Sequence, residues 1–217
     1  MHRAIFARQS GEVKLSDYIG QENPLLIIIS GPSGVGKDAV IDELKQRKIP
    51  FHFVVTATTR PKRPEEVHSK DYWFYTPEEF YQLLKSGELL ENAVVYNNSY
   101  GVPKHDVRDS LNRGEDTILR IDVQGAAHIK RVVPNALFIF IAPPNFEALI
   151  NRLGNRNTET PESLNRRLST YHTEMKAIPT FDYVVINHES LLSETADKII
   201  AIITAEKLRT NPRRVTL

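Results

Sequence analysis

Residues 25–40 read "LLIIISGPSGVGKDAV", and this stretch decides the fold. Its first five residues, 25–29, form an apolar run of strand length without polar alternation, the mark of a strand buried on both faces. Gly31, Gly36 and Lys37 then complete G-x-x-x-x-G-K, and a helix-like segment follows at once. In that strand-to-helix setting the glycines let backbone N–H groups close around phosphate oxygens. The helix start adds partial positive charge, and Lys37 reaches the terminal phosphates. The whole loop, Gly31, Pro32, Ser33, Gly34, Val35, Gly36, Lys37, Asp38 and Ala39, is therefore a candidate phosphate site. After Lys37, however, Asp38-Ala39 stand where a hydroxyl residue ordinarily serves Mg2+. Either Asp38 holds Mg2+, directly or through water, or it caps the helix or pairs with Lys37.

Working outward, further apolar runs of strand length occur at 51–55, 117–121, 137–142 and 182–186. Helix-like segments lie between and after them, at 37–47, 104–113, 124–131, 145–153, 161–177 and 190–208. Strand and helix alternate, which predicts an α/β fold with a parallel sheet flanked by helices. Two stretches break the rhythm: 56–103, crowded with Arg, Pro, Glu and Tyr, and 148–168, with arginines at 152, 156, 166 and 167. Insertions of this kind carry substrate contacts in α/β enzymes.

With 217 residues, the chain suits one core with inserted parts. Its 28 Lys plus Arg balance 27 Asp plus Glu, so no bulk field draws nucleic acid or an anionic membrane; any anion site is local. The absence of cysteine excludes disulfides and thiolate metal sites and fits a cytoplasmic protein. Residues 1–24 hold no apolar stretch long enough for a signal core or membrane span, and read as a polar extension. The basic tail 209–217, with Pro212, is expected to fray after the last helix.

Several motifs follow the loop in order: "TATTRPKRPEEVHSKDYWF", "GELLENAVVYNNSYGVPK", "IDVQGA", "RLGNRNTETPESLNRRL" and "DYVVIN". With them the chain, from about residue 25 to 206, resembles the guanylate kinases. The resemblance implies a P-loop kinase fold with a five-stranded parallel core (25–55, 104–143 and 178–208), a GMP-binding insert (56–103) and a lid (144–177). The implied reaction joins ATP and GMP or dGMP, with Mg2+, to give ADP and GDP or dGDP. It also assigns residues. Arg60, Arg63, Tyr72 and Tyr100 grip the GMP phosphate, for which guanidinium forks are suited. Glu91 reads guanine, because an acceptor-only carboxylate matches the N1–H and 2-amino donors and is penalised against adenine. Thr56 lies near the base, and Asp122 holds the base or the metal region while also suited to cap the next helix. Arg152, Arg156 and Arg167 are the lid arginines, which with Lys37 cancel charge during transfer, and Asn187 lies on the adenine side.

Three departures bear on this assignment. Val102 stands where a hydroxyl residue usually bonds the base, Asn157 where a lid glycine is usual, and Arg120 where an acid is usual. An acid lost at 120 and gained at 38 suggests a relocation of charge, with Arg120 paired to Asp38 or to a phosphate. Two other readings compete: a ribose 1,5-bisphosphate kinase, which shares "GKD", and a guanylate-kinase-like domain that binds without catalysis. Oligomeric state is not legible.

Overall fold

The computed structural model describes residues 23–95, 97–154 and 169–217. A central sheet of five strands runs in the order β2-β7-β1-β8-β9: β1 is Leu26–Ser30, β2 Phe51–Phe53, β7 Asp116–Arg120, β8 Leu137–Ala142 and β9 Tyr183–Ile186. All four pairings are parallel. The order reverses at β1, and the phosphate loop leaves from its carboxyl end, the place where open α/β sheets bind ligands.

The continuous apolar run of β1 is explained by two-sided burial. Ile27 and Ile29 pack toward α1 (Lys37–Gln46) and α7 (Leu192–Lys207), against Val40, Leu44, Ile199 and Ile203. Leu26 and Ile28 face the other way, toward Val107 of α3 (Lys104–Asn112) and Ala126 and Ile129 of α4 (Val123–Val132). Each such fully buried side chain contributes about 1.5–3 kcal/mol of transfer free energy, so a polar residue in the run is strongly disfavoured. Helix α5 is Phe146–Gly154, and residues 169–175 are the described part of a helix α6.

The five core strands and helices α1, α3, α4, α5 and α7 lie close to their sequence expectations, and of the helix expected over 161–177 the residues 161–168 lie outside the described ones. Within 56–103, where no element is expected, the structure holds a second sheet. It runs β4-β3-β6-β5, with β3 at Ala57–Thr58, β4 at Trp73–Phe74, β5 at Leu89–Val95 and β6 at Asn98–Pro103. Helix α2 (Pro77–Lys85) precedes β5 and opens on a capping box. Thr76 Oγ1 accepts from Glu79 N, and the Glu79 carboxylate accepts from Thr76 N.

The tail corrects the expected fraying. Arg213 donates to the Glu206 carboxylate at 2.7 Å and to Ala136 O at 3.0 Å, and it pairs with Asp182. Val215 and Leu217 pack against the core face containing Ile129 and Phe138. The basic residues serve a buried acid: the Glu206 side chain is 2% exposed and also accepts from Tyr183 Oη at 2.6 Å. Among the described residues no helix is long and apolar enough to cross a membrane.

Candidate active site

The loop between β1 and α1 takes its shape from glycine. Gly31 has φ +148°, and a Cβ there would run into the backbone carbonyl of Ile141 in β8. Gly36 has φ +96° and is the N-cap of α1, so the helix start opens directly onto the loop. Lys37 folds back over the loop, donating to Gly31 O at 2.6 Å and Pro32 O at 3.0 Å. Burial pushes its ammonium down to about 8; Glu174 opposes that, and Arg120 adds to it.

A cavity of about 240 Å³ lies over the loop, lined by Ser33, Gly34, Gly36, Lys37 and Asp38 together with Arg120, Asp122 and Glu174. Glu174, from α6, accepts from Ser33 N at 3.3 Å and is the largest charge raising the Lys37 pKa. Sequence reasoning misses it, because a lone acid in a helix carries no motif; only the packing of α6 on the loop discloses it. Asp38 does not cap α1. Its carboxylate pairs with Arg120 Nη1 at 3.1 Å rather than with Lys37, as the relocation of charge anticipates.

On the opposite side of the loop, Asn187 is buried at the end of β9, donating from Nδ2 to Val35 O and accepting from Thr195 Oγ1. Arg152 of α5 donates to Val35 O and Asn187 O, both at 2.8 Å, and so ties α5 to the loop. These two with Gly34, Gly36, Ala39 and His188 line a second cavity of about 270 Å³. Arg156 and Arg167 lie outside the described residues, as does Asn157.

The insert brings the remaining candidates together in two groups. Arg60 sits over the rings of Tyr72 and Phe74, with Tyr72 packed edge-on to Tyr100 at 6.2 Å. Its guanidinium donates to Glu66 at 2.6 Å, which raises its pKa, and Tyr100 adds to the rise. Glu66 also accepts from Arg63 N, while the Arg63 side chain stays exposed. Glu66 is the second residue missed in the sequence, although its place three after Arg63 made it a local partner. Thr56 and Tyr72 border a cavity of about 150 Å³ that also touches Lys70, Asp71 and Arg120.

Glu91, on β5, forms the other group with Asp122. Burial, then the negative charge of Asp122, pushes the Glu91 carboxyl up to about 7. Asp122 caps α4 by accepting from Gly125 N at 2.8 Å, the capping role expected of it, and it also borders the loop cavity. Gly125 permits this closeness: a Cβ on it would meet the Glu91 carboxyl carbon at 3.3 Å and Ile121 Cγ1 at 2.6 Å. Val102, register partner of Glu91, is buried in the core and offers the site no polar group.

Residues 23–206 match the family model described as guanylate kinase. Guanylate kinase 2, chloroplastic/mitochondrial, of Oryza sativa subsp. japonica is 46% identical over 195 residues, covering 89% of this chain and 68% of its own length. A guanylate kinase of Clostridium tetani is 44% identical, covering 87% of this chain and 89% of its own. The crystal structure of guanylate kinase from Anaplasma phagocytophilum matches with TM-score 0.66 at 34% identity, covering 86% of this chain and 88% of that one. A phosphate loop at the reversal of a five-stranded parallel sheet, with Glu91 of the second sheet set beside Asp122 of the core, thus coincides with sequence likeness over residues 23–206: the chain belongs to the guanylate kinase family.

Proposed function

We propose that this ATP:GMP phosphotransferase divides its work between the loop cavity and the insert, and that Asp122, bordering both, marks where they meet. Acting on GMP or dGMP, the enzyme uses the backbone N–H groups from Gly34 to Asp38 and the ammonium of Lys37 to hold the ATP phosphates. Arg152 and Asn187 fix the loop from the adenine side. Arg60 and Arg63, with the phenols of Tyr72 and Tyr100, take the GMP phosphate, and Glu66 gives way to it. Glu91 accepts from N1–H and the 2-amino group of guanine, with Thr56 and Asp122 beside the base. An acceptor phosphate oxygen attacks the γ-phosphorus, and the electron pair of the broken bond leaves with ADP. No strong base is needed, so alignment and charge cancellation supply the rate. In this reading 56–103 is the GMP-binding part and 144–177 the lid, with Arg156 and Arg167 its further cations.

Mg2+ fits the residues present. Among the described residues no three acidic or histidine groups can hold a metal by themselves. A hard cation arriving with the phosphates, however, matches the exposed carboxylate of Asp38 at the rim of the loop cavity. When bound, Mg2+ neutralises phosphate charge; Asp38 would hold it, directly or through water.

The observation that carries the reading is the Glu91–Asp122 pair set beside an intact phosphate loop. A coupled ADP-release assay with Mg-ATP and, in parallel, GMP, dGMP, AMP and ribose 1,5-bisphosphate tests it. Turnover with GMP or dGMP, lost in Lys37→Ala, is expected. Turnover with ribose bisphosphate alone would overturn the role given to Glu91. The cytoplasm is the compartment this reading favours, a point cell fractionation decides, since the rice relative is named for organelles.

A further inference from the structure

Arg120 ends β7 beside Ile29, the penultimate residue of β1, and therefore stands at the edge of the phosphate loop. It borders two cavities at once: the loop cavity with Lys37 and Asp122, and the smaller one with Thr56 and Tyr72. Its partner among the described residues is Asp38, through Nη1 at 3.1 Å. One nitrogen is engaged in that pair, out of a planar fork with five N–H donors. The pair contributes little to the fold: with side chains 43% and 73% exposed, ion pairs of this kind are worth about 0–1 kcal/mol. Its placement, rather than its stability, is the informative feature.

We propose that Arg120 is a further catalytic residue, whose guanidinium bridges the γ-phosphate of ATP and the phosphate of GMP, and that Asp38 positions it. The proposal rests on the reading above, in which the phosphate loop holds the ATP phosphates and Tyr72, on the smaller cavity, is among the groups that take the GMP phosphate. As the Pγ–O bond to GMP forms and the Pγ–O bond to ADP breaks, negative charge spreads over the oxygens between the two nucleotides. A cation that touches both sides cancels that charge. Arg120 is built into the core sheet, and it lines both cavities beforehand. Asp38 restrains the long side chain at one end of the fork and leaves the other end for phosphate.

Calorimetry on the full chain with Mg2+ tests this with three probes: ATP, GMP, and adenosine and guanosine joined by a pentaphosphate, which spans both sites. In Arg120→Ala the pentaphosphate is expected to lose about 100-fold in affinity, more than the product of the losses for ATP and GMP measured singly. Arg120→Lys, which keeps charge without the fork, recovers part of it. A pentaphosphate loss no greater than that product overturns the bridge, and so does a parent chain that binds ATP and GMP but not the pentaphosphate. At saturation, kcat of Arg120→Ala is expected to fall about 100-fold or more with KM values nearly unchanged; a kcat within threefold of the parent refutes the role. Absent GMP turnover in the parent would defeat the proposed function alone, since the binding comparison still decides the bridge.

Discussion

In the role proposed for it, Glu91 reads guanine only as a carboxylate, and its pKa is pushed up to about 7 because burial and Asp122 both disfavour the charge. With a raised acid pKa, protonated carboxyl dominates below about 7 and the reader is switched on above it. Accordingly kcat/KM for GMP should rise about tenfold between pH 6 and pH 8, and this limb should flatten in Glu91→Gln, which also loses preference over AMP. Lys37 shows the opposite sign. Its pKa is lowered to about 8, so carrying the charge at pH 7 costs stability. Lys37→Met should be inactive yet melt a few degrees higher at pH 7, and the difference in Tm should shrink as pH rises past 8. The phosphate loop was legible from its motif, and Glu91 as a candidate from the family resemblance, for which donor counting supplies the reason. Glu66 and Glu174 were not, since their partners are supplied by folding.

At the scale of elements, α4 packs on β5 with Gly125 at the contact, where a Cβ would overlap the Ile121 side chain and crowd the Glu91 carboxyl. Gly125→Ala should displace Ile121 and crowd Glu91, raise the KM for GMP several-fold while leaving that for ATP nearly unchanged, and destabilise by about 1–3 kcal/mol in a melting experiment. Helix α6 acts on the loop through Glu174. Removing its charge by Glu174→Gln relieves repulsion of the ATP phosphates, so ATP binding, read by calorimetry, should tighten several-fold. The core strands were legible because burial on both faces writes continuous apolar runs. The strands of the second sheet are as short as two residues and only half buried in places, so they write no run. Helix α2 did carry a signal, Thr76-Pro77 with Glu79 three residues on, which a search for caps would have found.

For the whole molecule, the C-terminal segment is a structural closure. Burial alone would raise the Glu206 carboxyl, but hydrogen bonds from Arg213 and Tyr183 outweigh it and hold the pKa below 4.5. A depressed acid pKa contributes stability above the unfolded value of 4.5 that is lost as pH falls through the folded value. Truncation after residue 208 strands that acid without Arg209 and Arg213, and should cost about 3–5 kcal/mol and roughly 10 °C in Tm. Composition concealed this: a basic tail looks solvated until its buried counter-charge, on the last helix, is located. The attachment of the second sheet has another consequence. The chain leaves the core after β2 and re-enters at α3, so the part proposed to bind the acceptor hangs on two joints, joined where Val55 N donates to Asp106, while the phosphate loop belongs to the main sheet. Such an arrangement is a cassette: exchanging the segment between those joints can redirect which phosphate acceptor is used and leave the ATP machinery in its original frame.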